Sequence, residues 1–454
     1  MWGNIKQIFK DWKLLKRLLI TFGILLLFRL GTQLTMPGVQ IAEEGFGNDS
    51  FFNLLNLLSG GGLTTFSIFA LGVSPYITSS IIMQLLSSDV VPIFSRWRKE
   101  GESGKVKTEK VTRIVAILIA VMQAIAIALA FQSNSYIIIT APFSTAGSIT
   151  IFTIIMTGGT MLAIWLADLI TSKGVGNGIS LIIFVGIVAS LPSQFIQQFD
   201  ISTSEFQSAS ILNGVLEFIG IILLFLLIVM LVAFFYESER RIPLQQTGKN
   251  IKNDEKNIAP YLPIKVSVSG VIPVIFASAV VTLIPTIAQF LPETSNARAT
   301  MIDIFSFENW YGILIYATLI FMFTFFYGHI SIDAQQMSDS FKKNGTFILG
   351  VKPGEDTRKL IFSTVNYLCL IGGLYLSFIA SLPYLLDLAG LTSTIPLGGT
   401  SLIIMVGVAI DTYKNIHARI IASGYKSDIN KSKERTSQII DNIEDKNNKG
   451  DLIL

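Results

Sequence analysis

The chain has 454 residues, of which 51% are hydrophobic and only 14% charged, against about 25% charged in a typical soluble domain. The apolar excess lies in long stretches free of Lys, Arg, Asp and Glu, which excludes soluble globular, disordered and fibrous classes. One cysteine (Cys369) excludes a disulfide framework, two histidines (His329 and His417) argue against a metal centre, and the net charge of +3 says little until it is placed along the chain.

A bilayer-spanning helix needs roughly 20 apolar residues. Ten such spans are predicted, at 18–36, 66–88, 113–131, 149–167, 178–197, 216–236, 266–290, 310–330, 361–385 and 397–416. The run 50–88 is long enough for span 2 plus a preceding half-span, 51–66, broken at Ser59-Gly60-Gly61-Gly62 because consecutive glycines weaken a helix. A half-span survives at membrane depth only where protein covers it or it lines a cavity. The run 114–167 is too long for one helix and divides at the polar patches Gln132–Ser135 and Thr140–Ser148. No small-residue cleavage site follows the first apolar run, so no cleavable signal peptide is expected.

Lys and Arg fall in alternate connections. Of the 34, 32 lie on one side of the predicted membrane, Arg298 lies on the other, and Arg29 lies inside span 1. This asymmetry predicts a cytoplasmic N-terminus (1–17), cytoplasmic loops including 237–265 and 331–360, and a cytoplasmic tail (417–454).

Two motif pairs relate span n to span n+5. Span 2 carries Gly72-Val73-Ser74-Pro75-Tyr76-Ile77 and span 7 carries Gly270-Val271-Ile272-Pro273-Val274-Ile275. Span 5 begins Gly178-Ile179-Ser180-Leu181-Ile182-Ile183 and span 10 begins Gly399-Thr400-Ser401-Leu402-Ile403-Ile404. A five-helix unit repeated once must be inverted, because five is odd. The predicted fold is therefore an all-α polytopic membrane protein with two inverted five-helix halves, 18–197 and 216–416. Such repeats place their functional centre near the midplane, at helices interrupted by Gly or Pro.

The central thirds of the spans hold almost no ionisable side chain, Arg29 being the exception. Asp168, Glu237, Asp333 and Asp411 fall at helix ends and read as solvated. The amides of Gln84 and Gln123 either bond between helices or line a polar path. No catalytic dyad, phosphate loop or zinc motif is present. These features suit a passive conduit driven by a partner. The long basic loops, with Arg240-Arg241 in one and Phe341-Lys342-Lys343 and Lys352-Pro353-Gly354 in the other, suit either docking to an acidic surface or plain topological retention.

Further stretches are Ser67-Ile68-Phe69-Ala70-Leu71 ahead of the first repeat, Lys99-Glu100-Gly101-Glu102-Ser103-Gly104, Gly174-Val175-Gly176-Asn177 and Gly398 before the last. With these, the chain resembles the SecY/Sec61-alpha family of protein translocase channel subunits over nearly its whole length. The resemblance implies a central pore between the halves, closed at its waist by Val73, Ile77, Ile179, Ile183, Ile275 and Ile404. It implies a plug in the half-span, including Phe52, Asn53, Ser59, Gly60 and Gly61. It also implies a lateral gate among spans 2, 3, 7 and 8, with Gln84, Gln123 and Ser278.

The same resemblance implies docking of the SecA ATPase or the ribosome through Arg240, Arg241, Lys342, Lys343 and Lys352. SecE and SecG would be the small membrane partners. The cargo would be unfolded preproteins with their signal sequences, and membrane segments released sideways into the lipid bilayer of the bacterial cytoplasmic membrane. No cofactor, metal or catalysis is implied. Lys352 stands where the family commonly has Arg; it keeps the charge without the planar two-donor fork, which leaves open an accessory, substrate-restricted paralogue. An inverted-repeat transporter of a small solute is the alternative function, and a non-conducting membrane scaffold is a third.

Overall fold

The computed structural model describes residues 12–37, 39–41, 56, 59–133, 137–139, 145–204, 211–246, 261–292, 295–307, 309–388 and 398–422. In chain order they form α1 (Trp12–Thr32), β1 (Val39–Ile41), α2 (Ser74–Leu85), α3 (Pro92–Lys99), α4 (Glu102–Ser133), β2 (Ile137–Ile139), α5 (Thr145–Lys173), α6 (Gly178–Ser204) and α7 (Ile211–Glu237). There follow β3 (Glu239–Gln246), β4 (Tyr261–Lys265), α8 (Ile272–Ala288), α9 (Asn296–Phe305), α10 (Trp310–Ser331), α11 (Ala334–Lys343), β5 (Thr346–Ile348) and α12 (Glu355–Leu388). Helix α13 spans 399–422. Ten helices (α1, α2, α4 to α8, α10, α12 and α13) occupy the ten predicted spans.

Span 2 departs from expectation at its start. Residues 59–73 run through successive turns, and the helix begins only at Ser74. Gly60 (φ +75°), Gly61 (φ +85°) and Gly72 (φ +52°) adopt left-handed backbone that ends any helical run. Helix α2 has 12 residues and rises about 18 Å, short of the roughly 30 Å hydrocarbon core. A π-helical turn, Leu86–Val90, extends it at one end and the turns before it at the other, and protein covers those turns: Leu63, Ala70, Leu71 and Val73 are 0% exposed and Phe66 is 1% exposed. The Phe66 ring lies 5.1 Å from that of Phe131 and 5.7 Å from that of Phe152, anchoring the turns on α4 and α5.

The halves match in backbone detail. Gly72 and Gly270 both take positive φ (+52° and +62°), a Val follows, and a Pro opens each helix. A methyl group on Gly178 would lie 1.9 Å from the Ala167 carbonyl oxygen, and one on Gly399 would lie 2.0 Å from that of Ile379. A third pair escaped the sequence: Gly159 approaches the Ile68 carbonyl as Gly372 approaches that of Val266. In each half, glycine lets the fourth helix touch the turn before the second helix, and lets the fifth helix touch the fourth.

Two small sheets cap opposite faces. Strands β1 and β2 pair antiparallel between the 1–2 and 3–4 connections. On the basic face, β3 pairs antiparallel with both β4 and β5, giving the order β4-β3-β5. The described parts of the two predicted docking loops thus form one folded platform. Ile242, Ile264 and Ile348 from its strands pack with Ile361, Val365, Leu368 and Cys369 of α12 in one apolar cluster.

The carboxylates read as solvated helix ends instead have partners. Arg113 pairs with Asp168 at 2.8 Å between α4 and α5, and Lys414 with Glu237 at 2.8 Å between α13 and α7. Asp411 accepts from the Tyr236 hydroxyl at 2.6 Å and lies 3.5 Å from Lys265. Asp333 caps α11 by accepting from the Gln335 and Gln336 amides. These charges remain about half exposed, so such ties direct geometry more than they stabilise.

Candidate functional site

The branched residues expected at the waist enter one continuous apolar cluster. Val73 and Ile404 are 0% exposed, Ile183 1%, Ile77 5% and Ile275 8%, with Ile179 half-buried against them. They come from α2, α6, α8 and α13 and the residue that precedes α2. Ile77 and Ile275 hold equivalent positions: each donates its amide to the Val that precedes its helix, Val73 at 3.1 Å and Val271 at 3.3 Å. Ile183 and Ile404 each stand five residues beyond the packed Gly178 and Gly399.

Of the expected plug residues, Phe52 and Asn53 lie outside the described residues. Ser59 and Gly60 are buried, and Gly61 is half-buried. The Ser59 hydroxyl and the Gly61 amide both donate to the Asn56 carbonyl, at 2.9 and 2.8 Å. The Asn56 side-chain oxygen accepts from the Leu63 and Thr64 amides at 3.1 and 3.2 Å. This turn rests on its neighbours through backbone: a methyl on Gly186 of α6 would lie 2.1 Å from the Gly60 Cα. Thr65 donates to the Thr32 carbonyl at 2.6 Å, tying the segment to α1.

Helix α8 packs on α2 and α4 of the other half and on α10 of its own, forming a seam between halves. Gln84 takes part in a bond across this seam. The Tyr327 hydroxyl of α10 donates to its side-chain oxygen, while its amide nitrogen donates to Ser80 at 2.9 Å. Sequence reasoning missed Tyr327, one of three tyrosines in its span with Tyr311 and Tyr316. The Tyr327 ring lies 4.8 Å from that of Phe276 on α8. Gln123 is 0% exposed, and neither side-chain polar atom has a hydrogen-bond partner among the described residues, an arrangement costly enough to need a reason. Ser278 donates within its own helix, to the Ile275 carbonyl at 2.8 Å.

The five basic residues expected to dock partners are all exposed on the platform. Arg240 and Arg241 lie on β3, opposite Ile264 and Pro263 of β4. Arg241 donates to Glu239 at 2.8 Å and stands 4.9 Å over the Tyr261 ring, and the bond to Glu239 raises its pKa further above the ordinary arginine value. Lys342 and Lys343 end α11. Lys352 sits in the turn before α12, where its carbonyl accepts from Thr357 at 2.9 Å and that of Gly354, two residues on, accepts from Ser338 at 2.7 Å.

A family model described as SecY matches residues 67–413. A protein translocase subunit SecY from Mycoplasma capricolum is 42% identical over 441 residues, covering 94% of this chain and 90% of that protein. One from Staphylococcus epidermidis is 39% identical, covering 94% and 99%. Among solved structures, a protein-conducting channel superposes with a TM-score of 0.67 at 17% identity, covering 89% of this chain and 92% of that one. Sec61 in a canine ribosome–channel complex superposes with a TM-score of 0.62 at 16% identity, covering 89% and 92%. The fold is that of these channels: a multi-pass membrane protein with ten transmembrane helices in two inverted halves around a central pore. With its repeat geometry and these matches together, the chain belongs to the SecY family.

Proposed function

We propose that this chain is the central subunit of a protein-conducting channel, moving unfolded secretory proteins across the cytoplasmic membrane and membrane segments sideways into it. The observation that supports this reading is that the six branched apolar residues, from both halves, all belong to or pack against the one central apolar core, with Ile77 and Ile275 in equivalent places of the two halves. An apolar constriction resists wetting, so it holds back ions of both signs while offering a passing chain no fixed hydrogen bonds. The turn at Ser59–Gly61 is the plug in this reading. Gln84, Gln123 and Ser278 belong to the gate through which signal sequences reach lipid, the uncompensated amide of Gln123 being a group that gate opening would relieve. SecE and SecG are the small membrane partners, and SecA and the ribosome dock on the platform.

Purified chain with SecE in proteoliposomes should import an unfolded preprotein only when SecA and ATP are supplied. Lys352→Glu should lower that import several-fold with membrane abundance unchanged, because Lys352 is exposed and its side chain makes no packing contribution to the platform core. Import without SecA, driven by an ion gradient on a small solute, would overturn the channel reading. Loss of the Lys352→Glu protein from membranes would overturn the docking role.

The platform faces the cytoplasm, as do both termini, on the 32-to-1 distribution of Lys and Arg. Ser340 is exposed on α11, whereas the native Cys369 is buried. A thiol at Ser340→Cys should react with a membrane-impermeant reagent only after cells are opened. Labelling of intact cells would invert the topology.

A further inference from the structure

We propose that Asp411, Lys265 and Tyr236 form a joint through which a partner bound to the basic platform sets the spacing of the two waist helices α8 and α13. The proposal rests on the channel reading above. One carboxylate gathers three elements. Asp411 on α13 accepts from the hydroxyl of Tyr236, near the end of α7, at 2.6 Å. It also lies 3.5 Å from Nζ of Lys265, the last residue of β4. The Lys265 ammonium stands 5.0 Å over the Tyr236 ring, so each pair of the three is in contact.

The position of this triad gives it a role. Lys265 pairs in register with Glu239 at the base of the platform sheet. The chain then turns at Gly270 into α8, which carries Ile275. Asp411 lies seven residues beyond Ile404, so both occupy one face of α13, about 10 Å apart along the axis. The triad therefore ties the sheet that receives the partner directly to α13 and α7, next to the point where Gly407 of α13 meets Val271, the residue that precedes α8. Tyr236 is 4% exposed and fills the contact: a methyl on Gly407 of α13 would lie 3.1 Å from its ring and 2.2 Å from Val271. The ion pair is about half exposed, with side chains 38% and 51% accessible, so it adds little to stability. That leaves its geometry as its effect.

The test measures SecA affinity and preprotein import in the same proteoliposomes for the unmodified chain, Asp411→Asn, Lys265→Met, Tyr236→Phe and Asp411→Glu. We expect SecA to bind Asp411→Asn and Lys265→Met as it binds the unmodified chain, while import per bound SecA falls at least about fivefold, the low end of typical coupling between sites. Tyr236→Phe, which removes only the hydroxyl, should fall in the same direction, and Asp411→Glu should retain most import. A purely structural triad would instead lower abundance or thermal stability with import per bound SecA unchanged, and that result overturns the joint. Equal loss of binding and import would also overturn it, placing these residues in the docking surface itself. If the unmodified chain imports nothing, the channel reading falls and takes this proposal with it; if it imports and the variants match it, only the joint falls.

Discussion

Asparagine at both Ile77 and Ile275 should make the resting channel conduct ions, raising idle current at least about tenfold while preprotein import continues. The two side chains are 5% and 8% exposed and hold equivalent places in the inverted repeat, so the double change alters both halves of the waist alike. Each amide offers water a partner among branched apolar side chains, and wetting lets ions of either sign follow. Ile77→Leu with Ile275→Leu keeps the surface apolar and should stay closed. The measurement is single-channel current in planar bilayers without preprotein. Silence from correctly inserted asparagine protein would place the pore elsewhere.

Alanine at Gly178 or at Gly399 should each reduce membrane abundance several-fold, and to a similar degree. The added methyl would meet a backbone carbonyl at 1.9 Å in the first case and 2.0 Å in the second. Backbone cannot rotate away as a side chain can, so a helix must move against its neighbour. Overpacking of this kind costs about 1 to 3 kcal/mol and sometimes more, enough to change cellular abundance several-fold. Gly23→Ala and Gly220→Ala serve as controls, since nothing lies within 4 Å of either site; they should be neutral or slightly stabilising, because Ala is the better helix former. Immunoblots of membranes and thermal unfolding in detergent would decide. If Gly178→Ala accumulates as Gly23→Ala does, the close approach of α5 and α6 is not what seats these helices.

The ten spans were legible because a bilayer demands long apolar windows, and Lys and Arg then number the sides. The start of span 2 was not. Phe66–Val73 is as apolar as a helix, and composition does not distinguish a membrane helix from turns that protein buries. The equivalence of Ile77 with Ile275 could be read because the repeats mark the same position twice. The platform could not be assembled from sequence, although Ile242 and Leu244 alternate on one strand and Leu262 and Ile264 on the next; β5, its third strand, lies beyond four further helices, α8 to α11. Pairings such as Gln84 with Tyr327, 243 residues apart, depend on helix rotation, which a nearly all-apolar span leaves unspecified.

The platform also has a history within each molecule's synthesis. Its central strand ends at Gln246, and the strand that completes its far edge begins at Thr346, 100 residues later. At about 5 to 20 residues per second, that edge stays unpaired for roughly 5 to 20 s. During this interval β3 presents free amide and carbonyl groups, the kind of open edge that invites wrong pairing. The sheet closes only once α10 has been made and has brought the chain back to the basic face. A chain that ends before Ile348 therefore cannot display a finished sheet, so synthesis through β5 is a built-in condition for receiving a partner.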